Sequence, residues 1–122
     1  MPTSLERDLL AIEERLWTGG PEAYRRHVDS RCLVAFAGKA GVMSRTAIAR
    51  SAKKGRWRNV SFQPRGFIRP SGDTAMVTYE CRATGADGGP YHAFVSSGYV
   101  EREAGWKLAF HQQTAIPPAG AQ

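Results

Sequence analysis

The chain has 122 residues, 42% of them hydrophobic and 23% charged, the proportions of one soluble globular domain over residues 1–122. It contains no apolar run near the roughly 20 residues of a membrane span, and its first eight residues are polar and acidic where a signal peptide would be basic and then apolar. A cytoplasmic location and no membrane partner are therefore expected. The formal net charge of +6 is concentrated: between Asp29 and Asp73 there is no acid, while Arg31, Lys39, Arg45, Arg50, Lys53, Lys54, Arg56, Arg58, Arg65 and Arg69 all fall there. Such a zone suits a solvated face, an anionic ligand, an acidic partner or nucleic acid.

Thr3 and Ser4 are alternative helix caps, and Thr3 to Glu6 has capping-box spacing. From there Leu5, Leu9, Ile12 and Leu16 recur at helical steps, with Leu10 and Trp17 widening the stripe and Glu6, Glu13, Glu14 and Arg15 assigned to the other side. Gly19-Gly20 ends this helix. Pro21 opens a second, with Tyr24, His27 and Val28 on one face, expected to end near Ser30. A short strand or hairpin edge follows over Cys32–Ala37, with a turn at Gly38–Gly41. Ser44 can cap a third helix closed by Gly55.

After that the period becomes two. Val60, Phe62 and Ile68 mark a long strand broken by Pro64 and Gly66, and Ala75, Val77, Tyr79 and Cys81 alternate with polar residues in the next. A turn at 86–90 leads to a strand from Tyr91 to Arg102, and a turn at 103–105 leads to the last strand. Helices first and an antiparallel meander after them make an α+β domain. The tail after Pro117 is expected to be flexible and dispensable. Cys32 and Cys81, with no paired or metal-ligand spacing, are expected to be free buried thiols.

Strand parity sorts the chemistry. Tyr91, Ala93, Val95, Ser97 and Tyr99 share one face of their strand, and His92, Phe94, Ser96, Gly98 and Val100 the other. In Gly105–Thr114, strict alternation places Trp106, Leu108, Phe110, Gln112 and Thr114 toward the core and His111 and Gln113 outward. No phosphate loop, serine elbow or zinc motif is present, and neither a metal nor a cofactor is expected. Ser96-Ser97 with His111 is the weakest catalytic reading, because no orienting acid is evident. Trp17, Trp57, Tyr24, Tyr79 and Tyr99 fit a core with an aromatic-lined cavity.

The stretches Leu9–Trp17, Gly20–His27, the Gly41–Ile48 entry to the third helix and the Tyr91–Thr114 hairpin, in this order, resemble the nuclear-transport-factor-2-like superfamily. Within it they are similar to small bacterial SnoaL-like proteins of largely unknown function. The resemblance spans about Leu5 to Ile116. It implies a cone: a curved antiparallel sheet wrapped around N-terminal helices, a cavity between them, and commonly a homodimer through the sheet's outer face. The superfamily includes isomerases, cyclases, dehydratases and non-catalytic association domains. An approximate register places Ile12, Phe36 and Ser97 where a ketosteroid isomerase carries its tyrosine, base and second acid, so that machinery is missing.

The expected ligand is a small, partly apolar molecule, with Trp17, Tyr24, His27, Tyr79, Ser97, Tyr99 and Gln112 as binding residues and no catalytic residue assigned. The alternative is a protein-association module using His92, Phe94, His111 and Gln113 on the outer face. Nucleic acid, through Trp57 between Arg56 and Arg58, ranks last because the cations are spread over a helix, a turn and a strand.

Overall fold

In a computed structural model that describes residues 3–117, the Thr3 hydroxyl accepts the Glu6 N–H at 3.0 Å and starts α1, Ser4–Thr18. This satisfies one of the orphan donors of the first turn. The helix ends where Gly19 donates its N–H to the Arg15 carbonyl; a Cβ at Gly19 would lie 2.6 Å from that oxygen, so only glycine fits. Pro21 then begins α2, Pro21–His27, which stops three residues earlier than its composition suggests. Val28 is fully buried and pairs with Leu108, so sheet pairing takes the chain out of the helix.

The strand β1, Val28–Phe36, turns through Ala37-Gly38 into β2, Lys39–Ser44, a tighter hairpin than the sequence indicated. Ser44 caps α3, Arg45–Ser51, by accepting the Ala47 N–H. The meander follows: β3 Trp57–Ser71, β4 Thr74–Gly85, β5 Pro90–Arg102 and β6 Gly105–Ala115. Pairing in β3 shifts between Pro64 and Gly66, at the residues that cannot hold a regular ladder. The six strands form one curved sheet in the order β2-β1-β6-β5-β4-β3. Every neighbouring pair is antiparallel except β1 with β6. The fold class is thus the expected α+β architecture, with this one parallel pair added.

The concave face holds the core. Ala75, Val77, Tyr79, Cys81 and Ala83 of β4 and Ala93, Val95, Ser97 and Tyr99 of β5 are buried there against Leu9, Leu16 and Trp17 of α1. Both cysteines are free and buried among them. The expected tail lies outside the described residues.

One local irregularity changes the meaning of β6. Tyr99 pairs with Leu108 but Gly98 pairs with Phe110, so Ala109 is an extra residue. A bulge of this kind reverses the parity that follows it. Leu108 faces inward beside Tyr99, Phe110 faces outward beside Gly98, and His111 faces inward beside Ser97. Strict alternation is therefore corrected beyond Ala109: His111 and Gln113 belong to the concave side, Gln112 and Thr114 to the convex side.

Leu9 is completely buried where α1 meets the sheet. Replacing it with alanine is expected to lower the unfolding free energy by about 2–5 kcal/mol, read from urea denaturation followed by tryptophan fluorescence.

Candidate functional site

At the centre of the concave face lies a carboxylate. Glu13 is only 1% exposed, four residues after Leu9 and four before Trp17, so the helix carries it into the core with them. Its assignment to the polar side of α1 is corrected accordingly. The hydroxyls of Tyr79 and Ser97 donate to Glu13 Oε1, the latter at 3.0 Å, and the hydroxyl of Tyr99 donates to Oε2. The Trp17 indole N–H donates to the Tyr79 oxygen at 2.9 Å. Three strand hydroxyls aimed at one carboxyl group meet the requirement that a buried charge be hydrogen-bonded.

The array continues to the cavity wall. Ser97 Oγ lies 2.9 Å from His111 Nδ1, His111 Nε2 lies 3.0 Å from Gln113 Oε1, and Gln113 donates to the Tyr91 hydroxyl at 2.8 Å. Two proton arrangements satisfy the Glu13–Ser97–His111 contacts. In one, Ser97 donates to a Glu13 carboxylate and His111 Nδ1–H donates to Ser97. In the other, a Glu13 carboxylic acid donates to Ser97, and Ser97 donates to His111 Nδ1. They differ by one proton moved along each hydrogen bond, so the array can carry a proton between the buried acid and the imidazole on the cavity wall. This is the orienting acid that sequence inspection of Ser97 and His111 lacked, although it sits behind the serine and not behind the histidine.

The cavity itself measures about 160 Å³. Leu16, Trp17, Val34, Met43, Ile48, Trp57 and Leu108 give it apolar walls, Glu13, His111 and Gln113 a polar side. Trp17 and Trp57 meet with ring centroids 5.4 Å apart, and Tyr91 stacks on Trp57 at 4.6 Å. At the other end the lining passes to exposed Phe36, Ser51 and Arg56, which mark a mouth beside the C-terminus of α3.

Of the residues expected to bind ligand, Trp17 and Tyr24 line this cavity, while Tyr79, Ser97 and Tyr99 lie behind Glu13 as its donors. His27 faces a separate surface groove with Asp8, Arg15, Trp106 and Lys107. Burial, and then Arg15, Lys107 and Arg26, hold its pKa below the usual histidine value. Gln112 bonds to Thr114 on the convex side and is not on the cavity lining. Glu13, His111, Gln113 and Arg56 are the residues that sequence reasoning left out of the site. Among the described residues no three His, Cys, Asp or Glu side chains gather into a metal-holding group, and no helix is long and apolar enough to cross a membrane.

No protein-family model matches the chain, and no curated protein matches it in sequence. Solved structures do. A ketosteroid isomerase-like protein from Erwinia carotovora atroseptica superposes with a TM-score of 0.73 at 14% identity, covering 93% of this chain and 94% of that one. An NTF-2 like protein of unknown function from Shewanella oneidensis gives 0.68 at 16% identity, over 93% and 98% of the two chains. The chain has the nuclear-transport-factor-2-like fold. The same fold holds the association domain of C. elegans CaMKII, with a TM-score of 0.66, 12% identity and coverage of 90% and 92%. In this chain, Ile12 lines the His27 groove, Phe36 lies on the cavity mouth, and the carboxylate beside the cavity comes from Glu13.

Burial, followed by the Glu13 charge, raises the phenol pKa of Tyr79 and Tyr99 well above the ordinary value. The same two causes push the Cys32 and Cys81 thiols up to about 12. Acids whose folded pKa is raised stabilise the fold fully below the unfolded pKa and lose that contribution as pH rises. Stability should therefore fall from about pH 9 upward, as unfolded thiols and then phenols ionise, checked by urea midpoints across this range; a flat profile to about pH 11 contradicts the burial of these groups.

Glu13→Gln is expected to cost about 1–3 kcal/mol, because an amide oxygen cannot serve all three hydroxyls. Chemical denaturation measures it directly.

Proposed function

We propose that the cone binds a small, partly apolar organic molecule and presents it to an acid–base array. The observation that carries this reading is the cavity of about 160 Å³ bounded by tryptophan and aliphatic side chains on one side and by Glu13, His111 and Gln113 on the other. An apolar protein cavity of about 150 Å³ accepts benzene, so the occupant is about the size of one six-membered ring. Few polar groups among apolar walls orient a small ligand, and an imidazole joined to a carboxyl group through a hydroxyl is equipped to move a proton on it when Nε2 exchanges Gln113 for the ligand. Proton transfer underlies isomerisation, cyclisation and dehydration alike, and this chain would perform it with Glu13 and His111 in place of the isomerase set.

Ring-sized probes such as benzyl alcohol and cyclohexanone should perturb the indole N–H resonances of Trp17 and Trp57 and raise the melting temperature. Ala52→Phe, which fills the lining beside α3, should abolish both effects while the protein remains folded. Indole resonances unmoved by every probe would sink the cavity reading.

A second observation supports a homodimer through the outer sheet face. Val42, Leu33, Phe110, Gly98, Met76 and Ile68 are successive cross-strand partners, so one apolar row crosses all six strands. Val42 is 64% exposed, Ile68 58% and Leu33 50%, with Phe94 at 49% beside the row. Six strands span roughly 24 Å, and an apolar row of that length, exposed at Val42, Leu33, Met76 and Ile68 and lower at Phe110 and Gly98 between them, suits a self-complementary contact with a second copy. His92 and Phe94 keep their outward place beside it, whereas His111 and Gln113 line the cavity and leave the association surface. Sedimentation equilibrium should show a dimer that Leu33→Glu or Met76→Glu converts to a folded monomer; a wild-type monomer at high concentration refutes it.

A further inference from the structure

The acid-free interval of the sequence divides once the fold is known. Arg65 pairs with Glu80 at 2.6 Å, Arg69 donates to the Gly72 carbonyl at 2.7 Å and lies over the Trp106 ring, and Arg45 donates to the Val28 carbonyl. Of those that remain, Lys39, Lys53, Lys54 and Arg56 surround a single opening with Phe36, Met43, Ser51, Gly55 and Ala86. Phe36, Met43, Ser51 and Arg56 are shared with the ring-sized cavity, so this opening is its vestibule. No acid lines it, and none of its four cations forms an ion pair among the described residues. Asp87, next in sequence to Ala86, is engaged with its own turn, accepting the Gly89 N–H at 2.9 Å.

Hydrogen-bond accounting along the lining points the same way. Trp17, Ser51, His111 and Gln113 are all committed to partners within the chain, and Glu13 already receives three hydroxyls. The polar side chains on the lining that make no hydrogen bond among the described residues are Tyr24, Arg56 and Trp57. Arg56 and Trp57 offer donors only, and Tyr24 offers a hydroxyl. An anionic group at the inner end would meet a carboxyl group and no spare donor. At the mouth it would meet the Arg56 guanidinium fork, with the Tyr24 phenol near it, ringed by three lysines. Arg56 stands close enough to Tyr24 for its charge to oppose the rise that burial and Glu13 impose on that phenol, which reaches about 12.

We propose, building on the small-molecule reading above, that the cone's occupant is an anion: a single ring bearing a carboxylate or phosphate group, with the ring in the tryptophan-walled cavity and the anionic oxygens held at the mouth by Arg56 and Tyr24. Guanidinium binds either group through paired N–H donors. Lys39, Lys53 and Lys54 raise the local concentration of such anions without fixing their geometry. The ring then lies between the anionic group and the His111 side of the cavity, where the array can act on it.

The test titrates the isotope-labelled full chain with benzoate, phenyl phosphate, benzyl alcohol and inorganic phosphate, following the Trp17 and Trp57 indole resonances. Benzoate or phenyl phosphate should bind at least about tenfold more tightly than benzyl alcohol, and the stronger of the two identifies the anionic group. Raising salt from about 50 mM to about 500 mM should erode that advantage. Arg56→Gln, at an exposed position, should remove the advantage of the two anions over benzyl alcohol. Equal affinity for benzoate, phenyl phosphate and benzyl alcohol overturns the anion assignment while leaving the cavity reading intact. Inorganic phosphate binding as tightly as phenyl phosphate overturns the placement of the ring. Failure of all four probes to move either indole overturns both.

Discussion

A single buried carboxyl group organises this protein. Glu13 enters the core on the same helical face as Leu9, Leu16 and Trp17, and hydroxyls from β4 and β5 close around it. An ionised carboxylate without those donors would cost several kcal/mol to bury. The helix and the two strands must therefore meet in one relative position, because only there are the carboxyl oxygens and the three hydroxyls satisfied together. Apolar packing of α1 tolerates small sliding motions; this polar junction does not.

The cavity follows from the same junction. Side chains that converge on Glu13 fill the cone on the β4 and β5 side, and the space left over lies toward β1, β6 and α3. The bulge at Ala109 then turns His111 and Gln113 into that space and joins them to Glu13 through Ser97. Without the extra residue the imidazole would stand on the convex face. The inner wall of the cavity is thus set by hydrogen bonding, its apolar walls by Trp17, Trp57 and the aliphatic lining, and its mouth by Lys39 of β2 and three cations from the turn after α3. The convex face carries the apolar row that crosses all six strands, so the sheet separates the cavity from an apolar strip on its other side.

Much of the fold is written locally. Thr3 and Ser44 cap their helices through their own side chains, Pro64 and Gly66 sit where the β3 ladder shifts, and alternation over Ala75–Cys81 matches the buried face of β4. Tyr79, Ser97 and Tyr99 were legible as inward residues because their strands keep strict period two up to that point. Glu13 was legible in principle, since its spacing from Leu9 and Trp17 places it on the buried face, but its charge argued for solvent. Only the partners on β4 and β5, distant in sequence, reverse that expectation.

What the sequence determined by itself was the order of elements, the α+β class, the faces of β4 and β5, and a band of cations without acids. These follow from periodicity, capping and composition, which act over a few residues. The tertiary structure decided the parallel pairing of β1 with β6, the parity of β6 beyond Ala109 and the burial of Glu13. It also decided which four cations gather at the cavity mouth. Each of these depends on a neighbour far along the chain: an extra residue is a bulge only against a partner strand, and a charge is tolerable in a core only where other elements bring donors to it.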